Sequence, residues 1–360
     1  MSRDLFSPAP LGRITLRNRI VMAPMTRNRS LGNIPGELVA TYYGQRASAG
    51  LIITEGTSPS PDGLGYPRIP GIFSAEQIAG WKAVTAAVHA QGGHIFLQMM
   101  HTGRVGHSAN LPAGAKVLAP SAVAAAGEIW TDTQGMQPHP VPRAMTEADI
   151  AESVEAFAQG CRNAVEAGFD GVELHAANGY LLEQFLNPGS NVRTDAYGGT
   201  HKKRARFVLE VAAAAVAAIG KDRVGIRLSP HGVFNDIATF PETEEVYAHL
   251  AAEIDGLGLA YVHLVDHSAM GAPAPVPATV ARIRAAYHGT LILSGGYDCS
   301  RAETDLASGK ADLIAFGRPF LANPDLLARL ELGAPLVSPD MATFYTPGEK
   351  GYTDQPTLAG

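Results

Sequence analysis

Three hydrogen-bonding side chains, His175, Asn178 and Tyr180, lie within six residues at the end of one short apolar run. The spacing between His175 and Asn178 lets one turn direct both side chains into the same space. Two neutral donors that converge there can hold a carbonyl oxygen and stabilise the negative charge that forms on it, and Tyr180 can supply a proton. The same residues also fit a hydrogen-bonded histidine at a strand end followed by a helix-capping asparagine. The spacing alone leaves both interpretations open.

Glycine turns end two further apolar runs, at Gly295-Gly296 and at Gly317-Arg318. Because glycine has no side chain, backbone N–H groups in such turns approach a phosphate closely. One turn of this kind is typical of any tight connection. A pair at neighbouring strand ends favours a phosphate-binding site.

Two polar residues, Arg227 and Gln98, interrupt apolar runs that should be buried. A buried charge must be paired, so Arg227 belongs either to a structural ion pair or to an anionic ligand. Gln98 likewise needs a hydrogen-bond partner. His101 and His107 have no carboxylate or cysteine close by in the sequence, and we therefore predict no metal site, since such a site needs three or four convergent ligands.

The composition narrows the class of protein. The chain has 360 residues, of which 46% are hydrophobic and 17% charged, which predicts a large folded core. Its net charge of −6 argues against a nucleic-acid partner. With two cysteines, Cys161 and Cys299, a disulfide scaffold is excluded. The most apolar stretch, residues 208–220, is too short to span a bilayer, and no secretory signal is visible, so we expect a cytoplasmic protein without membrane association.

Eight short apolar runs, rich in β-branched residues, alternate with helical patterns. Continuous runs of this kind are typical of parallel strands buried on both faces. Eight strand–helix repeats predict an α/β fold, a (β/α)8 TIM barrel, rather than an open doubly wound sheet, which normally has fewer strands. The residues named above then stand at the C-terminal ends of strands, where such barrels carry their active sites. The predicted strands are residues 19–24, 51–55, 94–98, 171–175, 224–228, 261–265, 291–294 and 313–317.

Helix starts are predicted at two capping boxes, Ser74 to Gln77 and Thr146 to Asp149. Two segments exceed the barrel. Residues 5–18 alternate apolar and polar types and predict a hairpin that closes the bottom of the barrel. Residues 102–145, a connection too long for a simple loop, predict a capping insertion over its mouth after the third strand. We expect residues 1–360 to form a single domain. Further predicted helices span residues 149–167, 205–218, 242–254, 276–287 and 301–308.

Several stretches, in order along essentially the whole chain, resemble the old yellow enzyme family of FMN-dependent ene-reductases, which includes N-ethylmaleimide and xenobiotic reductases. The matching stretches are residues 18–27, 98–104, 175–186, 191–199, 315–325 and 351–356. The resemblance implies a barrel that binds FMN non-covalently at its mouth. Thr26 stands where one branch of the family has cysteine, and Met100 stands where many relatives have tryptophan.

The resemblance also implies roles for individual residues. Contacts to the isoalloxazine ring are implied for Pro24, Thr26, Gly56 and Gln98, with Arg227 beside the N1/O2 edge. The phosphate cradle is implied to consist of Gly295, Gly296, Gly317 and Arg318. His175 and Asn178 resemble the pair that binds the activating group of the substrate, and Tyr180 resembles the proton donor. Thr26 and Tyr352 are implied to line the substrate pocket.

These features together predict a ping-pong oxidoreductase. NADPH or NADH reduces FMN, and an electron-poor alkene such as an enone, maleimide or nitroalkene is then reduced at its C=C bond. Nitro compounds and quinones are expected as further acceptors, and the protein as a monomer or homodimer. Two alternatives remain, a phosphate-binding barrel lyase or isomerase without flavin, and a flavin carrier without turnover. No lysine or carboxylate base at a strand end supports the lyase.

Overall fold

The computed structural model describes residues 4–358, and at Met270 the backbone alone. Its strands, in chain order, are β1 (Ala9–Leu11), β2 (Ile14–Leu16), β3 (Ile20–Met22), β4 (Leu51–Ile53), β5 (Ile95–Met99), β6 (Leu118–Ala119), β7 (Glu128–Thr131), β8 (Gly135–Pro138), β9 (Arg143–Ala144), β10 (Gly171–Ala176), β11 (Val224–Leu228), β12 (Tyr261–Val265), β13 (Thr290–Ser294) and β14 (Leu313–Phe316).

Eight of these strands form a closed, all-parallel barrel in the order β3-β4-β5-β10-β11-β12-β13-β14, with β14 pairing back to β3. This confirms the predicted (β/α)8 barrel. Two of the eight, β11 and β12, have the predicted bounds, and the others differ by at most two residues at an end. The agreement has a physical reason: every residue of β3, β4, β5, β10, β11, β12 and β14 is buried, so each strand is a continuous apolar run in the sequence.

Helices surround the barrel. Two of them begin at the predicted capping boxes, whereas the helix predicted over 205–218 begins four residues earlier, at His201. Both capping boxes form: the Ser74 hydroxyl accepts from the Gln77 N–H, and that of Thr146 accepts from the Asp149 N–H. The helices are α1 (Glu37–Gly44), α2 (Ala75–His89), α3 (Glu147–Glu166), α4 (Leu181–Leu186), α5 (His201–Ile219), α6 (Thr243–Leu257), α7 (Pro277–Ala286), α8 (Cys299–Ala307), α9 (Arg318–Ala322) and α10 (Leu326–Leu332). None of the helices in the described part of the chain combines the length and apolar character needed to cross a membrane.

The two predicted additions to the barrel are both present. Antiparallel β1 and β2 form the hairpin at the bottom, where Arg13 pairs with Asp222, just before β11, at 2.8 Å. The insertion has its own structure: β7 and β8 form an antiparallel hairpin, and β6 pairs with β9. Its Arg104 donates to the Asp236 carbonyl at 2.7 Å, which ties the insertion to the loop after β11 at the mouth of the barrel.

Candidate active site

A cavity of about 520 Å³ opens at the C-terminal ends of the barrel strands, and most of the predicted site residues line it. Those residues are Pro24, Thr26, Asn178, Tyr180, Arg227, Gly295, Gly296, Gly317 and Arg318. Parallel strands bring all their carboxyl ends to one rim, so side chains that are up to three hundred residues apart in the sequence meet here. Four predicted residues, Gly56, Gln98, His175 and Tyr352, do not line this cavity.

Arg227 lies in the middle of a buried strand, β11, with His175 and His263 beside it in register on the neighbouring strands. Its side chain donates no hydrogen bond and forms no ion pair within residues 4–358, and its buried Nε has no partner. Burial lowers the pKa of Arg227, against a smaller opposing effect of the nearby Glu173 carboxylate. A buried cation without a bonded partner is costly unless a ligand supplies the counter-charge. The position therefore fits an anionic ligand group in the cavity.

The two turn glycines after β13 have backbone conformations that require glycine. Gly295 has φ +121°, and a Cβ atom there would lie 2.0 Å from the Asp266 carbonyl oxygen. Gly296 has φ +61°. Arg301 donates to the Gly295 carbonyl at 2.8 Å and fixes the turn from outside. The N–H groups of such a turn are free to approach an anion closely.

Gly317 closes the same side of the cavity, after β14, and Arg318 begins helix α9 next to it. The exposed Arg318 side chain forms no ion pair within the described residues. Barrels of this fold often bind phosphate in the loops after the last two strands, so these glycine turns and the exposed Arg318 form a candidate phosphate site.

The predicted carbonyl-binding pair lies at the end of β10. His175 is buried, and its Nδ1 atom has no partner. Burial first, and the Arg227 charge second, hold the pKa of His175 well below its usual value, so the imidazole is neutral. Asn178 has φ +60°, and its side-chain Oδ1 is likewise buried without a partner. Because Oδ1 only accepts, the donor that Asn178 can offer a carbonyl oxygen is its side-chain NH2, which donates no hydrogen bond within residues 4–358. This NH2 group and the neutral imidazole of His175 are donors of the kind that a site for a polarised carbonyl requires.

Tyr180 stands over His175, with their rings edge to face at 4.9 Å. Its hydroxyl donates to the Tyr66 hydroxyl at 3.2 Å. Burial raises the pKa of Tyr180, so the phenol keeps its proton near neutral pH. A protonated phenol beside two carbonyl-binding groups can act as a general acid.

Beneath the cavity, four buried side chains form a hydrogen-bonded network across the barrel. Gln98 Nε2 donates to Glu173 Oε1 at 2.8 Å, and the other oxygen of Glu173 bonds His263 Nδ1 at 2.9 Å. His263 Nε2 lies 3.0 Å from Ser294 Oγ. The buried Gln98 amide therefore has the hydrogen-bond partner that we predicted it needs, and this partner is the Glu173 carboxylate. We did not single out Glu173 or His263 from the sequence, although each places a polar residue within an apolar strand, as Arg227 does.

Gly56 is buried next to Met100, whose Sδ would lie 2.4 Å from a Cβ atom at this position. A side chain at position 56 would displace the Met100 side chain, which belongs to an apolar cluster that also contains Tyr180. The predicted contact of Gly56 with a flavin ring stays a prediction.

The model of the NADH:flavin oxidoreductase / NADH oxidase family matches residues 4–336. This chain belongs to that family. It is 40% identical to a probable flavin mononucleotide-dependent alkene reductase of Leishmania infantum, over 98% of this chain and 97% of the relative. Among solved structures, morphinone reductase in complex with tetrahydroNAD matches with a TM-score of 0.93 and 46% identity, over 99% and 98% of the two chains. The old yellow enzyme homologue from Zymomonas mobilis matches with a TM-score of 0.95 and 40% identity, over 99% and 100%.

The resemblance to the old yellow enzyme family is confirmed by these matches, and the chain is an NAD(P)H-dependent flavin oxidoreductase. Most of the residues that line a second cavity of this oxidoreductase were not predicted from the sequence. Thr26 and Tyr180 also line an adjoining outer cavity of about 740 Å³. Its other walls include Tyr66, Trp130, Met136, Phe234, Asn235, Met341 and Tyr345. For the aromatic residues among them, the sequence offers one indication, which is an aromatic side chain close to a turn in a long connection.

Arg68 connects the walls of the outer cavity. Its Nε donates to the Asn28 carbonyl at 3.0 Å, and one terminal nitrogen donates to the Tyr345 carbonyl at 3.1 Å. The other terminal nitrogen pairs with Asp132, in the turn of the β7–β8 hairpin. One side chain thus holds the capping hairpin, the loop after β3 and the C-terminal segment together.

The structure does not support Tyr352 as a residue of the substrate pocket of this oxidoreductase. Its ring is fully buried, stacks on the Tyr42 ring at 4.0 Å, and packs against the guanidinium groups of Arg27 and Arg29. These contacts hold the C-terminal segment to the barrel, and Tyr352 lines neither cavity described above. The aromatic side chains of this segment that do line the inner cavity are Phe344 and Tyr345.

Proposed function

We propose that this protein holds FMN non-covalently and uses NADPH or NADH to reduce the C=C bond of electron-poor alkenes such as enones, maleimides and nitroalkenes. The observation that carries the proposal is an unpaired buried cation, Arg227, in a cavity that Asn178 also lines, with the neutral imidazole of His175 in register beside Arg227 on the neighbouring strand. Nitro compounds and quinones are proposed as further acceptors. The relatives support the alkene class, since one is named a flavin mononucleotide-dependent alkene reductase.

The residues of the inner cavity fit FMN. The glycine turns at Gly295, Gly296 and Gly317 would hold the phosphate with Arg318. Arg227 would place its charge beside the anionic edge of the reduced ring, which is why this guanidinium has no protein partner. Pro24, Thr26 and Gln98 would contact the ring. The chemistry that bound FMN supplies is hydride transfer, from the nicotinamide in one half-reaction and to the alkene in the other.

The protein's own side chains account for the selectivity toward activated alkenes. His175 and Asn178 bind the carbonyl or nitro oxygen and stabilise the negative charge that develops there as hydride reaches the β-carbon. Tyr180 gives a proton to the α-carbon, and its contact with Tyr66 keeps the hydroxyl oriented. Thr26 lines both cavities and lies between the cofactor and substrate regions.

The outer cavity supports substrates larger than a simple cyclic enone. Its volume of about 740 Å³ is within the range of sites for drug-sized ligands. Trp130, Met136 and Tyr345, all exposed, would cover the part of the substrate that extends beyond the reacting bond. The alkene and the nicotinamide would use the same mouth in turn, which is the basis of the proposed ping-pong order.

Spectroscopy and kinetics of the purified protein test this function. We expect a yellow protein that releases FMN, not FAD, on denaturation. Steady-state rates with each nicotinamide against a cyclic enone, N-ethylmaleimide and a nitroalkene should give parallel double-reciprocal lines. A protein that takes up no FMN, or lines that intersect, would contradict the cofactor or the ping-pong order respectively. The cytoplasmic location and the monomeric or dimeric state remain predictions.

A further inference from the structure

Glu183, on helix α4, is a buried carboxylate that accepts three hydrogen bonds. The Gly179 N–H donates to Oε2 at 2.6 Å, and the hydroxyls of Ser229 and Tyr247 donate to Oε1 at 2.6 and 2.7 Å. Burial raises the pKa of Glu183 to about 7, although the three hydrogen bonds oppose this effect. The side chain lines neither the inner nor the outer cavity, so it has no direct contact with a substrate there.

The carboxylate reaches Asn178 by a relay. Ser229 Oγ, which donates to Glu183, accepts the Asn178 N–H at 2.9 Å. Glu183 is therefore linked to the Asn178 N–H through Ser229 and accepts the Gly179 N–H directly. In the next peptide, which contains the Gly179 N–H, the Asn178 carbonyl accepts from Asn235 Nδ2 at 2.7 Å. The backbone of Asn178 is therefore held at both its N–H and its carbonyl.

These hydrogen bonds stabilise a left-handed backbone conformation at Asn178, which is unfavourable for residues other than glycine. Asn178 and Gly179 both have positive φ, +60° and +75°. A residue other than glycine is uncommon there, and it persists where the surroundings fix it. At Gly179 a Cβ atom would lie 2.5 Å from the Phe234 carbonyl oxygen, so the loop is also enclosed by its neighbours. The left-handed turn determines where the Asn178 amide points.

We propose that Glu183 is a positioning residue that, through Ser229 and Gly179, holds Asn178 in the left-handed turn that directs its amide at the substrate oxygen. This inference rests on the proposed function, in which Asn178 binds that oxygen. The Gly179 N–H can only donate, and the hydroxyls of Ser229 and Tyr247 also donate to Glu183, so an ionised carboxylate accepts from all three. A glutamine at this position would present an NH2 group to one of those donors.

Binding of a phenol, whose oxygen resembles an enolate, tests the relay in flavin-loaded protein. Glu183→Gln should weaken the affinity for 4-chlorophenol by roughly 10-fold or more, since loss of a preorganised donor at comparable sites costs about 10²–10³ in rate. In an Asn178→Ala background the same substitution should change the affinity by less than about 2-fold, because the group it positions is gone. Equal losses in both backgrounds, or no loss in either, would overturn the proposal.

Hydrogen exchange separates this proposal from the proposed function. In Glu183→Gln the Gly179 N–H loses its carboxylate acceptor, and Ser229, which accepts the Asn178 N–H, loses the carboxylate that orients its hydroxyl. The segment 177–181 should therefore exchange faster, whether or not Asn178 binds substrate. Glu55→Gln is the matched control: Glu55 is also a buried carboxylate with a pKa raised by burial to about 7, but it accepts from Arg27. It should leave exchange in 177–181 unchanged. Unchanged exchange in Glu183→Gln would refute the positioning role, whereas a lack of effect of Asn178→Ala on phenol affinity would refute the proposed function.

Discussion

Replacing Tyr180 with phenylalanine removes one hydroxyl from the active site and leaves its packing in place. The ring is part of an apolar cluster with Leu64, Ile69, Met100 and Val105, which phenylalanine fills equally well. The hydroxyl bonds the Tyr66 hydroxyl and also interacts with the side chain of Asn235. Tyr180→Phe should therefore remove the proposed proton donor without disturbing the fold.

The size of the effect follows from the environment of the hydroxyl. Loss of a positioned general acid costs roughly 10²–10⁴ in rate. Tyr180 is only 9% exposed, so bulk water is a poor substitute and a loss within that range is expected for enone reduction. Tyr66→Phe, which removes only the neighbour of the hydroxyl, should cost about 5-fold, as one neutral hydrogen bond contributes about 1 kcal/mol.

Stopped-flow measurements on the two half-reactions provide the assay. Flavin reduction by the nicotinamide needs no proton from Tyr180 and should keep its native rate in Tyr180→Phe. Reoxidation by an enone, which needs a proton at carbon, should slow by the factor above. Reoxidation by a quinone, which needs protons only at oxygen, should remain almost normal.

The comparison of the two acceptors decides the role of Tyr180. Equal slowing with enone and quinone would mean that the residue shapes the pocket and does not donate the proton. No slowing with either would mean that another group or water supplies it. Both results would refute the reasoning from burial and geometry.

Three further substitutions test other parts of the site. Arg227→Met should weaken FMN binding yet stabilise the apoprotein by on the order of 1 kcal/mol or more, because the buried cation has no protein partner. FMN titration measures the first effect, and thermal unfolding of the apoprotein measures the second. A destabilised apoprotein would contradict the inference that the Arg227 charge is unpaired. Gly295→Ala should weaken FMN binding roughly 5- to 100-fold, from backbone strain of about 1–3 kcal/mol. Gly114→Ala, at a glycine that also has a positive φ but lies in open space, should leave FMN affinity unchanged. Equal FMN affinities for the two variants would contradict a role of Gly295 in phosphate binding. Arg68→Ala should raise the KM for a bulky enone by roughly 10-fold, from the loss of charge-assisted hydrogen bonds, while N-ethylmaleimide reduction and flavin reduction stay the same; a uniform fall for all substrates would show that Arg68 supports the fold and not the outer cavity.

The barrel could be predicted because the sequence patterns that indicate its strands and helix starts each lie within a few consecutive residues. Each buried parallel strand is a short apolar run, and both capping boxes are contained within four residues. Arg227 could be predicted as a candidate for ligand binding because a charge within a buried strand needs a partner, and the structure shows no protein partner for its Nε. Glu173 was open to the same argument, since it too is a charged residue within a buried strand, where it bonds Gln98 and His263.

The outer part of the site could not be predicted because its contacts are distant in the sequence. Tyr352 is buried by Tyr42 and Arg27, more than three hundred residues away, and no periodicity in the C-terminal segment indicates which of its tyrosines faces the cavity. Trp130, on β7, and Tyr345, in the C-terminal segment, both line the outer cavity, and Arg68 bonds to both parts of the chain. The role of Glu183 was hidden for a related reason, since its link to Asn178 passes through Ser229 on another strand end.

An anaerobic single turnover tests the central claim, that this barrel passes hydride from a nicotinamide to an activated alkene through bound flavin. The yellow protein is reduced with one equivalent of NADPH or NADH until its flavin absorbance is bleached, and one equivalent of cyclic enone is then added. We predict that the colour returns and that one saturated ketone forms for each flavin reoxidised. A flavin that stays bleached after the enone is added, or that regains its colour without formation of the saturated ketone, would contradict the claim.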